Sequence, residues 1–118
     1  MLEVKKINLS YGESHILFDM SINVKIGKVT TIMGRNGVGK TSLLKSIIGI
    51  EKIDSGIINL DKIDITKLSS PERANSGIAY VPQGREIFSL LTVEENLQTG
   101  FSVLKRNDRK ISKYIYDL

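Results

Sequence analysis

The stretch "GRNGVGKTS", residues 34–42, holds three glycines, one lysine and two hydroxyls in nine positions. From Gly34 to Thr41 it fits the pattern G-x-x-x-x-G-K-[ST]. Glycines let a loop wrap closely, so that backbone N–H groups converge on phosphate oxygens. A helix starting near Lys40 aims its positive end at the same oxygens. Lys40 adds a full charge toward the β and γ phosphates, and Thr41 offers a hydroxyl to Mg²⁺. Such a reading requires a strand before the loop and a helix after it.

Working outward, "KVTTIM" at 28–33 is rich in β-branched residues and ends at Gly34, so it reads as a buried strand. Downstream, Leu43, Leu44, Ile47 and Ile48 form an apolar helical stripe, and Gly49 is a natural stop. The stretch therefore sits at a strand–loop–helix junction and reads as a cradle for nucleotide phosphates. Kinases, GTPases, helicases and transport ATPases share that cradle, so it does not name the machine.

The flanks read as mixed α/β. "LEVKKINLS" alternates Leu2, Val4 and Lys6, and "SINVKI" alternates Ile22, Val24 and Ile26, both as half-buried strands. The pairs Tyr11-Gly12 and Ile26-Gly27 punctuate turns. "SGIINLD" at 55–61 is a further short strand. "SSPER" opens a short helix with Pro71 at its first position, and Gly77 ends it. "IAYVP" at 78–82 reads as a second buried strand. Thr92 and Glu95 make a capping box for a helix. "DRKISKYIYDL" at 108–118 reads as a last amphipathic helix, with Ile111, Tyr114, Ile115 and Leu118 on one side.

The chain has 118 residues, which fits one domain with a small core. With no cysteine, disulfides and thiolate metal sites are excluded, and a single histidine argues against zinc. The N-terminal residues carry Glu3, Lys5 and Lys6, so they do not read as a signal peptide. No apolar run approaches the ~20 residues needed to span a bilayer. The net charge is +4, with "KRNDRK" at 105–110 reading as a solvated face. No tryptophan and no aromatic–basic interleaving points to nucleic acid. The chain stops within its last helical pattern, which suggests part of a longer protein.

Two further positions carry chemistry by type. Tyr11, before the turn at Gly12, can stack on a base or fill the turn. Gln83, just past Pro82, can meet Mg²⁺ and water or face solvent. His15 has no acidic partner or nucleophile near it in sequence and reads as structural.

"YGESHIL", "MGRNGVGKTSLLKSIIG", "SGIINLDKIDITKLSSPERANSGIAYVPQGREIF" and "LTVEENLQTG" occur in this order along the chain. Together they resemble the N-terminal half of an ABC transporter ATPase subunit, over essentially the whole chain. The likeness is to the subgroup serving urea and branched-chain amino acid importers, with "YGESHIL" and "GRNGVGKT" combined with "YVPQGREIF" leaning toward the urea member.

The resemblance implies an α/β P-loop NTPase fold: residues 1–118 as a partial nucleotide-binding domain with an antiparallel β edge and the start of a helical subdomain. It implies ATP and Mg²⁺ as cofactors. Gly34, Arg35, Asn36, Gly37, Val38, Gly39, Lys40 and Thr41 would be the Walker A loop, with Ser42 at the α-phosphate and Tyr11 stacked on adenine. Thr41 and Gln83 would be the contacts to Mg²⁺, Gln83 being the Q-loop glutamine that also meets water. The implied partners are a second ATPase subunit across the ATP sites, transmembrane permease subunits, and indirectly a periplasmic solute-binding protein, with no nucleic acid. The implied location is peripheral, on the cytoplasmic face of the inner membrane.

No L-S-G-G-Q signature occurs in these residues. "ILFD" at 16–19 and "INLD" at 58–61 mimic an apolar run ending in Asp, but neither is followed by Glu, and both are rejected as Walker B. No catalytic residue is therefore assigned in this chain. The rival readings are a non-catalytic nucleotide-binding fragment and another P-loop enzyme such as a kinase.

Overall fold

A computed structural model describes residues 1–84 and 86–117. They fall into two compact units, Met1–Ala79 and Tyr80–Leu118.

The first unit is built on a four-stranded antiparallel sheet in the order β2-β1-β3-β4. The strands are β1 (Leu2–Tyr11), β2 (Ser14–Val24), β3 (Ser55–Leu60) and β4 (Ile63–Asp64). On β1 the buried residues are Val4, Ile7 and Leu9. That sequence changes parity between Val4 and Ile7, and the cause is a bulge. Lys6 adopts φ +46°, the pairing register shifts there, and the alternation expected through Lys6 is broken. On β2, Asp19 at φ +44° does the same between Leu17 and Met20. The two kinks lie against each other and share one polar stitch. Asn8 Nδ2 donates to Asp19 Oδ1 at 3.0 Å and to Ser55 Oγ at 3.0 Å, while its Oδ1 accepts from Asp19 N at 3.1 Å. One amide thus ties three strands.

Helix α1 (Lys40–Ile47) buries Leu43 and Ile47 against Val4, Ile7, Leu9, Leu17, Ile58 and Ile65. Gly49 at φ +78° closes it, as the sequence leads one to expect. Helix α2 (Ser70–Asn75) starts one residue earlier than expected, so Pro71 is its second position. The Ser69 N–H and hydroxyl both donate to the Glu72 carboxylate, at 2.7 and 2.6 Å.

Two expected strands are absent. Residues 28–33 form no ladder, Val29 is 96% exposed and Met33 87%; only Ile32 reaches the core. Residues 78–82 form none either, and Val81 is exposed. The physical reason is shared. A strand exists by the N–H and C=O groups of its neighbours, and among the described residues nothing is paired with these segments.

In the second unit, helix α3 (Val93–Gln98) begins at the capping box foreseen at Thr92 and Glu95, with both reciprocal bonds present. Asn96 ties the preceding turn to it: Nδ2 donates to the carbonyls of Phe88, Leu91 and Thr92, and Oδ1 accepts from Phe88 N. Tight 3-10 turns follow at Thr99–Val103 and Arg106–Asp108. The expected helix over 108–118 shrinks to α4, Lys113–Tyr116. A short amphipathic helix needs an apolar partner for its stripe. Tyr114 and Tyr116 stay exposed, and Leu118 lies outside the described residues. No described helix is long and apolar enough to cross a membrane.

Candidate functional site

Residues 34–42 form a loop that turns into α1. Gly39 is the N-cap of that helix, at φ +89°, and no side chain caps it. The first-turn N–H groups therefore keep no side-chain acceptor, which is the arrangement that suits an oxyanion. Gly39 is required twice over. Its conformation is left-handed, and a Cβ there would sit 2.9 Å from Leu17 Cδ2 and 3.2 Å from the Ile16 carbonyl oxygen. The loop is thus pressed onto β2. Gly37, at φ +83°, has open space around it and is required for its conformation alone.

Lys40 lies across the loop. Its ammonium donates to the carbonyl oxygens of Gly34 at 2.8 Å and Arg35 at 2.6 Å. The first turn of α1 contains no acidic residue, so no carboxylate on it competes for an anion. Thr41 is exposed and Ser42 half-buried. The Tyr11 hydroxyl, at the end of β1, donates to Ser42 Oγ at 3.3 Å. Arg35, Asn36 and Val38 are exposed along the loop.

Of the residues singled out from sequence, Tyr11, residues 34–42 and Lys40 come together in the first unit. Gln83 belongs to the second unit, exposed in a bend before Gly84 at φ +102°. His15 packs on Phe18 with ring centroids 3.9 Å apart, in keeping with a structural role. Among the described residues no group of His, Asp and Glu could hold a metal by itself. The donor set at residues 34–42 fits a magnesium nucleotide instead: one ammonium, two hydroxyls and the N–H groups of a helix start, for a ligand that brings its own negative charge. One buried cation went unforeseen. Arg73 is 4% exposed and has no motif around it to betray it.

The sequence model of the ABC transporter family matches residues 17–118. The chain belongs to the ABC transporter family. It is 42% identical over 110 residues to the probable branched-chain amino acid transport ATP-binding protein LivF of Archaeoglobus fulgidus, covering 93% of this chain and 47% of that protein. It is 38% identical over 111 residues to the high-affinity branched-chain amino acid transport ATP-binding protein BraG of Pseudomonas aeruginosa, covering 94% and 48%. Sulfate/thiosulfate import ATP-binding protein CysA of Salmonella typhi is 34% identical over 108 residues, covering 92% and 29%. Among solved structures, the dimeric ATP-binding cassette MJ0796 bound to ADP and Pi matches with a TM-score of 0.79 at 27% identity. That match covers 98% of this chain and 52% of that one. The cassette MJ1267 matches with a TM-score of 0.77 at 34% identity, over 96% and 47%. The fold is thus that of a P-loop ATP-binding cassette of an ABC transporter, as the sequence motifs imply. The chain spans about half the length of the LivF and BraG relatives.

Proposed function

We propose that residues 34–42 bind Mg-ATP as the Walker A loop and that the complete protein is the ATPase subunit of an ABC importer. The observation that carries this is Lys40 held across a loop whose helix start has no side-chain cap. On binding, Lys40 would exchange two carbonyl oxygens for phosphate oxygens, the loop amides would take the rest of the phosphate charge, and Thr41 would offer its hydroxyl to the metal. Bound Mg²⁺ would draw charge from the β and γ phosphates and orient them. Tyr11 would offer its ring to the adenine, and Gln83 would be the Q-loop residue that meets Mg²⁺ and water.

Residues 1–118 are then a partial nucleotide-binding domain, from Walker A to just beyond the Q-loop. In the complete protein two such subunits sandwich ATP and drive transmembrane permease subunits, with a periplasmic solute-binding protein delivering the solute. The protein works on the cytoplasmic face of the membrane. Branched-chain amino acids are the favoured solute class, on the strength of the LivF and BraG relatives. Urea is the second choice, resting on the combination of "YGESHIL", "GRNGVGKT" and "YVPQGREIF".

The same reading predicts binding without turnover for the 118 residues. Phosphoryl transfer needs an oriented water and charge stabilisation on the far side of the γ-phosphate. The signature loop and the Glu after Walker B that would supply them do not occur here. Titration of Mg-ATP into the chain should show binding that weakens by about tenfold or more in Lys40→Ala, the loss of a charge-assisted contact of roughly 1.5–3 kcal/mol. Phosphate release should stay at the buffer rate. Unchanged affinity in folded Lys40→Ala would sink the cradle, and steady turnover lost in Lys40→Ala would sink the account of the missing half.

A further inference from the structure

The far end of the P-loop helix is held by a single buried cation. Arg73, from α2, donates through Nη1 to the Ser46 carbonyl at 2.7 Å and to the Ile47 carbonyl at 2.8 Å. Those are the last two carbonyls of α1. Its Nε donates to the Leu68 carbonyl at 3.0 Å, and its Nη2 to the Thr66 carbonyl at 2.8 Å. Four of five guanidinium protons are thus committed, all to backbone oxygens. No carboxylate forms a salt bridge with this buried charge among the described residues. Burial pushes the guanidinium pKa down, with the Asp64 charge opposing from a distance, and an arginine remains protonated regardless.

The clamp continues into the sheet. Thr66 Oγ1 accepts from Ile58 N at 2.8 Å, and Ile65 N donates to the Ile58 carbonyl at 2.9 Å. Ile58 lies on β3, paired to Val4 of β1. A continuous path of hydrogen bonds therefore runs from the end of α1 through Arg73 and Thr66 to the central strands. Gly49 makes the path possible. A Cβ there would lie 3.0 Å from Arg73 Nε and 3.2 Å from Ser70 N, and its φ of +78° already favours glycine. An opening of about 590 Å³ lies beside the clamp, lined by Arg73 and Gly49 together with Lys52, Ile53, Lys67 and Leu68.

We propose that Arg73 is a positioning residue for nucleotide binding. It rests on the reading of residues 34–42 as the nucleotide site. Helix α1 is about 12 Å long at 1.5 Å per residue. It is a rigid piece of about two turns, so a shift or tilt at Ile47 displaces the amides at Lys40. The apolar contacts of Leu43 and Ile47 fix which face of α1 meets the sheet. They do not fix how far it slides along its own axis; the directional bonds to Ser46 and Ile47 do. The clamp also sets a cation on the negative end of the helix dipole, leaving the positive end directed at the loop.

The test compares Mg-ATP affinity in the 118-residue chain for the parent, Arg73→Met, Arg73→Lys and Val4→Ala. All are measured at a temperature where far-ultraviolet circular dichroism shows each fully folded. Val4→Ala removes buried side chain from the same core without removing any of the four carbonyl contacts of Arg73, and controls for lost stability. Affinity in Arg73→Met should fall about tenfold, and Arg73→Lys, which restores a donor but not the fork, should recover part of it. Val4→Ala should bind as the parent does. An Arg73→Met chain that binds as tightly as the parent overturns the proposal. Should Arg73→Met fail to fold, Arg73→Lys decides: affinity equal to the parent overturns it, and affinity below that of Val4→Ala supports it. A parent that does not bind Mg-ATP overturns the function proposed for residues 34–42, and this role with it; a parent that binds, with an indifferent Arg73→Met, overturns this role alone.

Discussion

Residues 55–60, "SGIINL", and residues 28–33, "KVTTIM", have similar apolar, β-rich compositions and opposite fates. The first is β3, with β1 on one edge and β4 on the other, and Ile58 is 0% exposed. The second runs unpaired into the glycine-rich loop that begins at Gly34, and Val29 is 96% exposed. Propensity is common to both, so propensity does not separate them. What separates them is a neighbour. β3 lies beside β1 through an antiparallel ladder from Leu2–Leu60 to Asn8–Ser55, and residues 28–33 have no such ladder among the described residues.

The contrast can be broken by mutation. Ile58→Ala should destabilise the chain by about 2–5 kcal/mol, because it empties a filled core site. Val29→Ala should change stability by less than about 0.5 kcal/mol, as an exposed position does. Urea unfolding midpoints of the two variants give the answer, and equal losses would mean that residues 28–33 are buried in solution after all.

Tyr11 sharpens the comparison from the functional side. It ends β1, the strand with partners on both edges, so its ring is presented by the ordered region rather than by the unpaired one. Tyr11→Phe should keep most nucleotide affinity, since stacking needs the ring, while Tyr11→Ala should lose about 1 kcal/mol. Calorimetric titration with Mg-ATP separates the two; equal affinity in Tyr11→Ala and the parent would return Tyr11 to filling its turn.

The smallest effect expected is on acid stability, and it concerns local structure that needs no distant partner. Ser69 holds the Glu72 carboxyl below its ordinary value of 4.5 through hydrogen bonds to the charged form, and Thr92 does the same for Glu95. A folded pKa below the unfolded one gives stability that is fully present above pH 4.5 and is lost as pH falls through the folded value. Glu72→Gln should therefore narrow the stability gap between pH 6 and pH 3, by thermal melts at each pH, and an unchanged gap would remove the capping box from the account of α2.

The parts legible in the sequence are those whose causes are local. The helix stripe at Leu43 and Ile47, its stop at Gly49, and the capping box at Thr92 each depend on residues within a turn of one another. The two bulges were hidden. Lys6 and Asp19 are ordinary residues, and only the pairing of β1 with β2 reveals that they reset the alternation. Helix α4 is shorter than its pattern because no described surface takes its stripe. For the site, the helix start at Lys40 after Gly39 was readable, whereas the strand expected before the loop at 28–33 is not formed. Arg73 was not readable, since its four carbonyl acceptors come from α1 and from the turn after β4, up to 27 residues away in sequence. Asn8 escaped notice for the same reason.

The lysine lying over its own loop has a thermodynamic meaning. Lys40 acts as an internal rival for the place its ligand would take, since the same ammonium cannot serve Gly34, Arg35 and a phosphate with equal strength. Any affinity measured at this site is an exchange, two neutral oxygens given up for charged ones. The loop is in turn held in shape by that rival until the exchange happens. On the proposed reading, nucleotide arrival would require the Lys40 ammonium to leave the Gly34 and Arg35 carbonyls.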